Sequence, residues 1–121
     1  MNPILRKIDC VMLKVSELER SAAFYEAVFG LKRLWQDAHS VGMGMPETDA
    51  EIVLHDNADM PKDINVHYLV DDVIKAVESF AVQGCIIRAQ PFDIVIGKCA
   101  VLEDPFGNIL AILDMTKGAR T

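Results

Sequence analysis

Val11-Met12-Leu13-Lys14-Val15-Ser16-Glu17-Leu18 and Val66-His67-Tyr68-Leu69-Val70-Asp71-Asp72-Val73 lie over one another at an offset of 55 residues. Both stretches alternate apolar and mixed residues up to a valine, the period of a strand. Both then meet a side chain able to cap a helix, Ser16 in one copy and Asp71 in the other. The two copies also agree downstream. Leu18, Ala22, Tyr25 and Phe29 fall on one face at helical spacing. Ser16 with Glu19 reads as a capping box, and Gly30 as the left-handed residue that closes the helix. In the second copy Val73, Val77 and Phe80 form the stripe, Asp71 is the expected N-cap and Gly84 the stop. Helices this short do not hold in water by themselves, so each is expected to lie on a sheet.

After each helix the apolar period changes from 3.6 to 2. The first half predicts strands near 31–37, 40–45 and 51–56, the second near 86–90, 98–103 and 109–114. The turn Asp104-Pro105-Phe106-Gly107-Asn108 is well marked: Pro105 presets φ, and Gly107 can take positive φ. Its counterpart, Met45-Pro46-Glu47-Thr48-Asp49, lacks glycine. Asn57–Lys62, polar and carrying Pro61, reads as the linker. The plan is βαβββ twice, an α+β class. One such unit leaves a sheet face open, so two must pair to bury it. Residues 1–121 are therefore read as one domain built from repeats of about 6–56 and 63–115.

Composition limits the partners. Hydrophobic residues make up 51% of the chain and charged residues 25%, values of an ordinary globular domain. Apolar runs fall far short of the ~20 residues a membrane span needs, and no stretch reads as a secretory signal. A net charge of -6 without a basic cluster suits neither nucleic acid nor an anionic membrane. Cys10, Cys85 and Cys99 are odd in number and form no C-x-x-C, which fits reduced thiols in a cytoplasm. No P-loop, dinucleotide-binding glycine motif, nucleophile elbow or zinc-protease motif occurs.

The ordered set Val15-Ser16-Glu17-Leu18-Glu19-Arg20-Ser21, Phe24-Tyr25, Phe29-Gly30-Leu31, Val70-Asp71-Asp72-Val73 and Asp104-Pro105-Phe106-Gly107-Asn108 resembles the vicinal oxygen chelate superfamily. That superfamily includes glyoxalase I, bleomycin-resistance proteins and extradiol dioxygenases. The resemblance implies a cup-shaped, mostly antiparallel sheet with helices on its outer face, a small-molecule ligand and a homodimer. It also implies four cup-lining positions, usually His, Glu, His and Glu, that hold a divalent metal in the metal-dependent members. Here the first-strand positions are Cys10 and Asn65, and the last-strand position is Ala111. The remaining position is Val53, with an uncertainty of two residues. One thiol, one amide and two aliphatic groups do not make a site for a hard cation. No metal and no cofactor are expected.

Several side chains carry two readings. His55 and His67 share parity with ligand positions, so they could join Cys10 in a displaced metal site, orient a ligand, or serve the structure alone. His39 falls in a turn. Cys10 and Cys99 are read as small buried hydrophobes, since no base or cation is in view to activate either thiol. Glu103 ends a strand and is a weak candidate for a general base. Trp35, the single tryptophan, belongs either to a pocket wall or to core or interface. Met12, Met43 and Met45 suit an adaptable pocket or an ordinary core. The ligand-binding candidates are Cys10, Met12, Trp35, Val53, His55, Asn65, His67 and Ala111. The expected function is metal-free binding of a small, partly apolar molecule. The alternatives are a superfamily enzyme of lyase, isomerase or dioxygenase type with a rearranged or metal-independent site, and a dimer with a vestigial cup.

Overall fold

The computed structural model describes residues 3–60 and 66–118. Its elements are β1 (Lys7–Lys14), α1 (Leu18–Ala27), β2 (Lys32–Gln36), β3 (Ser40–Met45), β4 (Thr48–His55), β5 (Val66–Leu69), α2 (Val73–Val82), β6 (Ile86–Asp93), β7 (Lys98–Glu103) and β8 (Ile109–Leu113). This is βαβββ twice, the α+β plan that the repeat predicts. The elements fall into two compact units. The first runs from Asp9 through β4, and the second from β5 onward with the segment before Asp9.

In the first unit the strand order is β2-β3-β4-β1. The pairs β2–β3 and β3–β4 are antiparallel, and β1–β4 is parallel. The parallel pair requires a crossover, which α1 and the β2–β3 hairpin provide. Alternation then sorts the side chains. Leu13, Leu54 and Val41 share one row and Ile52 and Met43 the next, and both rows pack with Ala22, Leu18 and Tyr25 of α1. Met43 is fully buried there, so it lies on the face opposite Met12 and not with it in a pocket.

The second unit repeats the scheme with order β5-β8-β7-β6, β5–β8 parallel and the rest antiparallel. Val73, Ala76 and Val77 of α2 pack on Val70, Ala100, Leu102 and Ile112. The helix is pinned from outside its own sequence. The buried Asp114 carboxylate accepts from Val73 N at 2.8 Å, Lys98 N at 2.9 Å and Thr116 Oγ1 at 2.9 Å. Burial pushes that carboxyl up, but the backbone N–H donors and Thr116 outweigh it and hold it below the usual range. A Cβ at Gly97 would collide with Asp114, so the approach of this carboxylate needs a glycine.

The helix ends differ in part from expectation. Glu17, not Ser16, is the N-cap of α1, with no side-chain cap, and the Ser16–Glu19 box is not formed. Glu19 instead takes two hydrogen bonds of 2.9 Å from Arg33 of β2. Asp72, not Asp71, caps α2 by accepting from Lys75 N, while Asp71 pairs with Arg6 on the surface. In both cases the cap goes one residue further because the strand stays extended that much longer. Phe29 is not on the helix stripe. It lies beyond α1, more than half exposed, edge-on to Tyr25 and Phe24. Gly30, Gly84 and Gly107 take positive φ, as their places in the pattern predict. Gly107 N and Asn108 N both bond to Asp104, closing the marked turn. β4 starts three residues before the predicted Glu51. β6 runs through Pro91, which an edge strand tolerates. Of the linker, Pro61 and Lys62 lie outside the described residues.

Candidate functional site

The face of the first sheet turned away from α1 begins with an irregularity. In the β2–β3 pairing, Arg33 faces Met43 and Trp35 faces Gly42, so Leu34 has no partner of its own. This is a β-bulge. It breaks the alternation and turns Leu34 and Trp35 to the same side, while Arg33 stays with the helix through Glu19 and Glu26. Both re-aimed side chains lie across β3 at positions without a side chain. The Trp35 indole covers Gly42 so closely that a Cβ there would overlap it, and Leu34 covers Gly44 in the same way. Across β3, the indole N–H of Trp35 donates to Glu51 Oε1 on β4 at 2.5 Å.

Cross-strand partners share a face, and their register gathers the predicted residues of this unit. Met12, Val53, Gly42 and Trp35 form one row over four strands. Cys10 faces Glu51 in the row to one side, and Lys14, His55 and Ser40 align on the other. Cys10, Val53 and His55 are buried. Burial holds His55 below the usual histidine range, helped by Lys14 and opposed by Asp56. Its Nδ1 accepts from Asn57 N, as a neutral ring does. Lys14 Nζ donates to Met60 O at 2.8 Å. An open cavity of about 560 Å³ adjoins Glu51, walled by Leu34, Gly44, Met45 and Pro46 with Lys32 at its rim. His39 is exposed in its turn and bonded to Asp56.

The second unit carries the other candidates on the corresponding face. His67 faces Ala111, which faces Val101, which faces Ala89. His67 and Ala111 are buried. Glu103 shares their parity, but its carboxylate accepts from Arg88 at 2.7 Å. Cys99 is buried among Leu69, Ile96 and Leu113, and burial pushes its thiol up to about 12, so it is no nucleophile at neutral pH. Asn65 lies outside the described residues.

The donor set can be compared with the superfamily's metal centre on chemistry. Val53 and Ala111 are buried aliphatic side chains with no donor atom. Among the described residues no group of three or more His, Cys, Asp or Glu side chains could hold an ion. The sequence reading missed Glu51. Its signal was present, a carboxylate two residues before Val53 and so on the same face, but its partner Trp35 is brought to it only by the bulge.

Residues 7–112 match the family model described as the Glyoxalase/Bleomycin resistance protein/Dioxygenase superfamily. No curated protein matches the chain. Among solved structures it is similar to a methylmalonyl-CoA epimerase of Streptomyces coelicolor in complex with 2-nitronate-propionyl-CoA. That pair has 14% identity, 93% of this chain and 99% of the other covered, and a TM-score of 0.74. The methylmalonyl-CoA epimerase of Mycobacterium tuberculosis gives 13%, 99% and 93%, and 0.76. A Legionella pneumophila protein named as an NAD-dependent benzaldehyde dehydrogenase gives 18%, 88% and 98%, and 0.71. At these identities the likeness is one of fold.

Proposed function

The chain belongs to the glyoxalase/bleomycin resistance protein/dioxygenase superfamily, and from that premise we propose that it binds a small, partly apolar molecule, as a homodimer, without the superfamily's divalent metal. The carrying observation is the contrast on the first unit's open face. Val53 offers no donor at a metal-ligand position, while Trp35, Glu51 and the adjoining cavity form a wall suited to an organic ligand. The Streptomyces coelicolor protein holds a small-molecule ligand in the same fold, which supports the reading. The enzymatic alternative finds less support: Glu103 is engaged by Arg88, and the Cys99 thiol is not ionised near neutral pH. Among the described residues no helix is long and apolar enough to cross a membrane, and a cytoplasmic site of action is part of this proposal.

The test begins with native mass spectrometry and elemental analysis of protein purified without a histidine tag. The expected result is a dimer mass, a co-purifying organic molecule or a ligand-dependent melting temperature, and no stoichiometric metal. One metal per subunit whose chelation lowers the melting temperature would overturn the metal-free reading. A 13.4 kDa species persisting at micromolar concentration in light scattering would overturn the dimer.

A further inference from the structure

We infer that Glu51, positioned by Trp35, is the specificity-determining group of this site and selects a ligand that carries a protonated amine. The inference rests on the binding proposal above and names the ligand class. The cavity beside Glu51 has the size of a small-molecule pocket, about 560 Å³. Leu34, Met45 and Pro46 give it apolar walls for the body of a ligand. Glu51 is partly buried and ties one carboxylate oxygen to the indole N–H. A ligand seated there excludes water from that carboxylate. An apolar or anionic group in contact with it would leave the charge without its solvent, at a cost. A donor offsets that cost, and a charged N–H donor offsets it best, because charge-assisted hydrogen bonds are about twice as strong as neutral ones.

The surrounding charge agrees. Asp49 joins Glu51 in the lining against the ammonium of Lys32, and the chain as a whole carries -6. That balance raises the local concentration of cations. The arrangement is also held in place. The β2 bulge aims Trp35, the bare backbone of Gly42 lets the ring lie flat, and the ring fixes the carboxylate. Trp35 acts here as a positioning residue.

Trp35 is the only tryptophan, so its fluorescence reports on this site alone. The probes are benzylamine, benzyl alcohol and benzoate, which share a body and differ in the head group. We expect benzylamine to shift the Trp35 emission saturably and to bind about ten- to a hundredfold more tightly than the alcohol, with benzoate weakest. Glu51→Gln keeps an oxygen for the indole N–H and loses the charge, so the preference for the amine should disappear while the alcohol still binds. Trp35→Phe, followed by calorimetry, should weaken the amine preference severalfold and leave the affinity for the alcohol unchanged. Equal binding of amine and alcohol, or a preference that survives Glu51→Gln, would overturn the assignment and leave the binding proposal intact. Failure of all three probes to bind would also overturn the assignment, and the binding proposal would then be decided by the co-purification experiment.

Discussion

Gly42→Ala puts the platform under Trp35 to a direct test. The added methyl would fall well inside contact distance of Trp35 Nε1 and Cε2 and 2.6 Å from Glu51 Oε1. The indole cannot stay where it is. Overpacking of this kind costs about 1–3 kcal/mol. Loss of the indole hydrogen bond to a charged acceptor adds about 1 kcal/mol at a partly solvated site. Against this, alanine gains about 0.5–1 kcal/mol over glycine in a strand. The net loss is about 1–3 kcal/mol. At an unfolding entropy of roughly 2 cal/mol/K per residue, each kcal/mol is about 4 °C for a chain of 121 residues. The melting temperature should therefore fall by about 4–12 °C, and the Trp35 emission should move to the red as the ring is displaced into water. The decisive comparison is a double-mutant cycle. With Trp35→Ala in place the methyl has room, so Gly42→Ala should then be neutral or slightly stabilising. Equal destabilisation in both backgrounds, or an unmoved emission in the single variant, would refute the packing of the indole on Gly42.

Three further outcomes are expected. Gly107→Val forces a branched side chain to a φ of 91° and should cost about 1–3 kcal/mol, visible as a lower denaturation midpoint with an unchanged slope; an unaltered midpoint would show that the turn relaxes freely. His55 has a lowered pKa in the folded state, so its contribution is complete above the unfolded value near 6.5 and is lost as pH falls through the folded value. Melts between pH 7.5 and 5 should show wild type losing more stability than His55→Gln, and parallel curves would contradict this. Asp114 is likewise held low, so wild type should exceed Asp114→Asn by about 1–3 kcal/mol at neutral pH, and the gap should close as pH drops below about 4. A gap independent of pH would show that the carboxylate charge has no part in pinning α2.

The two-fold plan could be read from the chain because each of its signals is local. A strand period ending at Val15 or Val70, a helical stripe of Val73 and Val77, and a glycine at Gly30, Gly84 or Gly107 all act within a few residues, and each is realised. The helix caps missed by one residue, at Ser16 and Asp71, because an N-cap depends on where the preceding strand stops, and its partners in the sheet settle that. The site was less legible for the same reason. His67 and Ala111, or Met12 and Val53, become neighbours through register alone, and parity within each strand could place them on a face. No period announces the bulge at Leu34, which turns Trp35 onto Gly42 and carries it to Glu51, 16 residues away. Nor does any local pattern join Asp114 to Val73 across 41 residues. The sequence by itself determined the order of strands and helices, their faces and the absence of donors at Val53 and Ala111, since these derive from side-chain chemistry and short periods. The tertiary structure alone decided which polar groups meet, because hydrogen bonds between distant strands depend on register and on a single unpaired residue that shifts it.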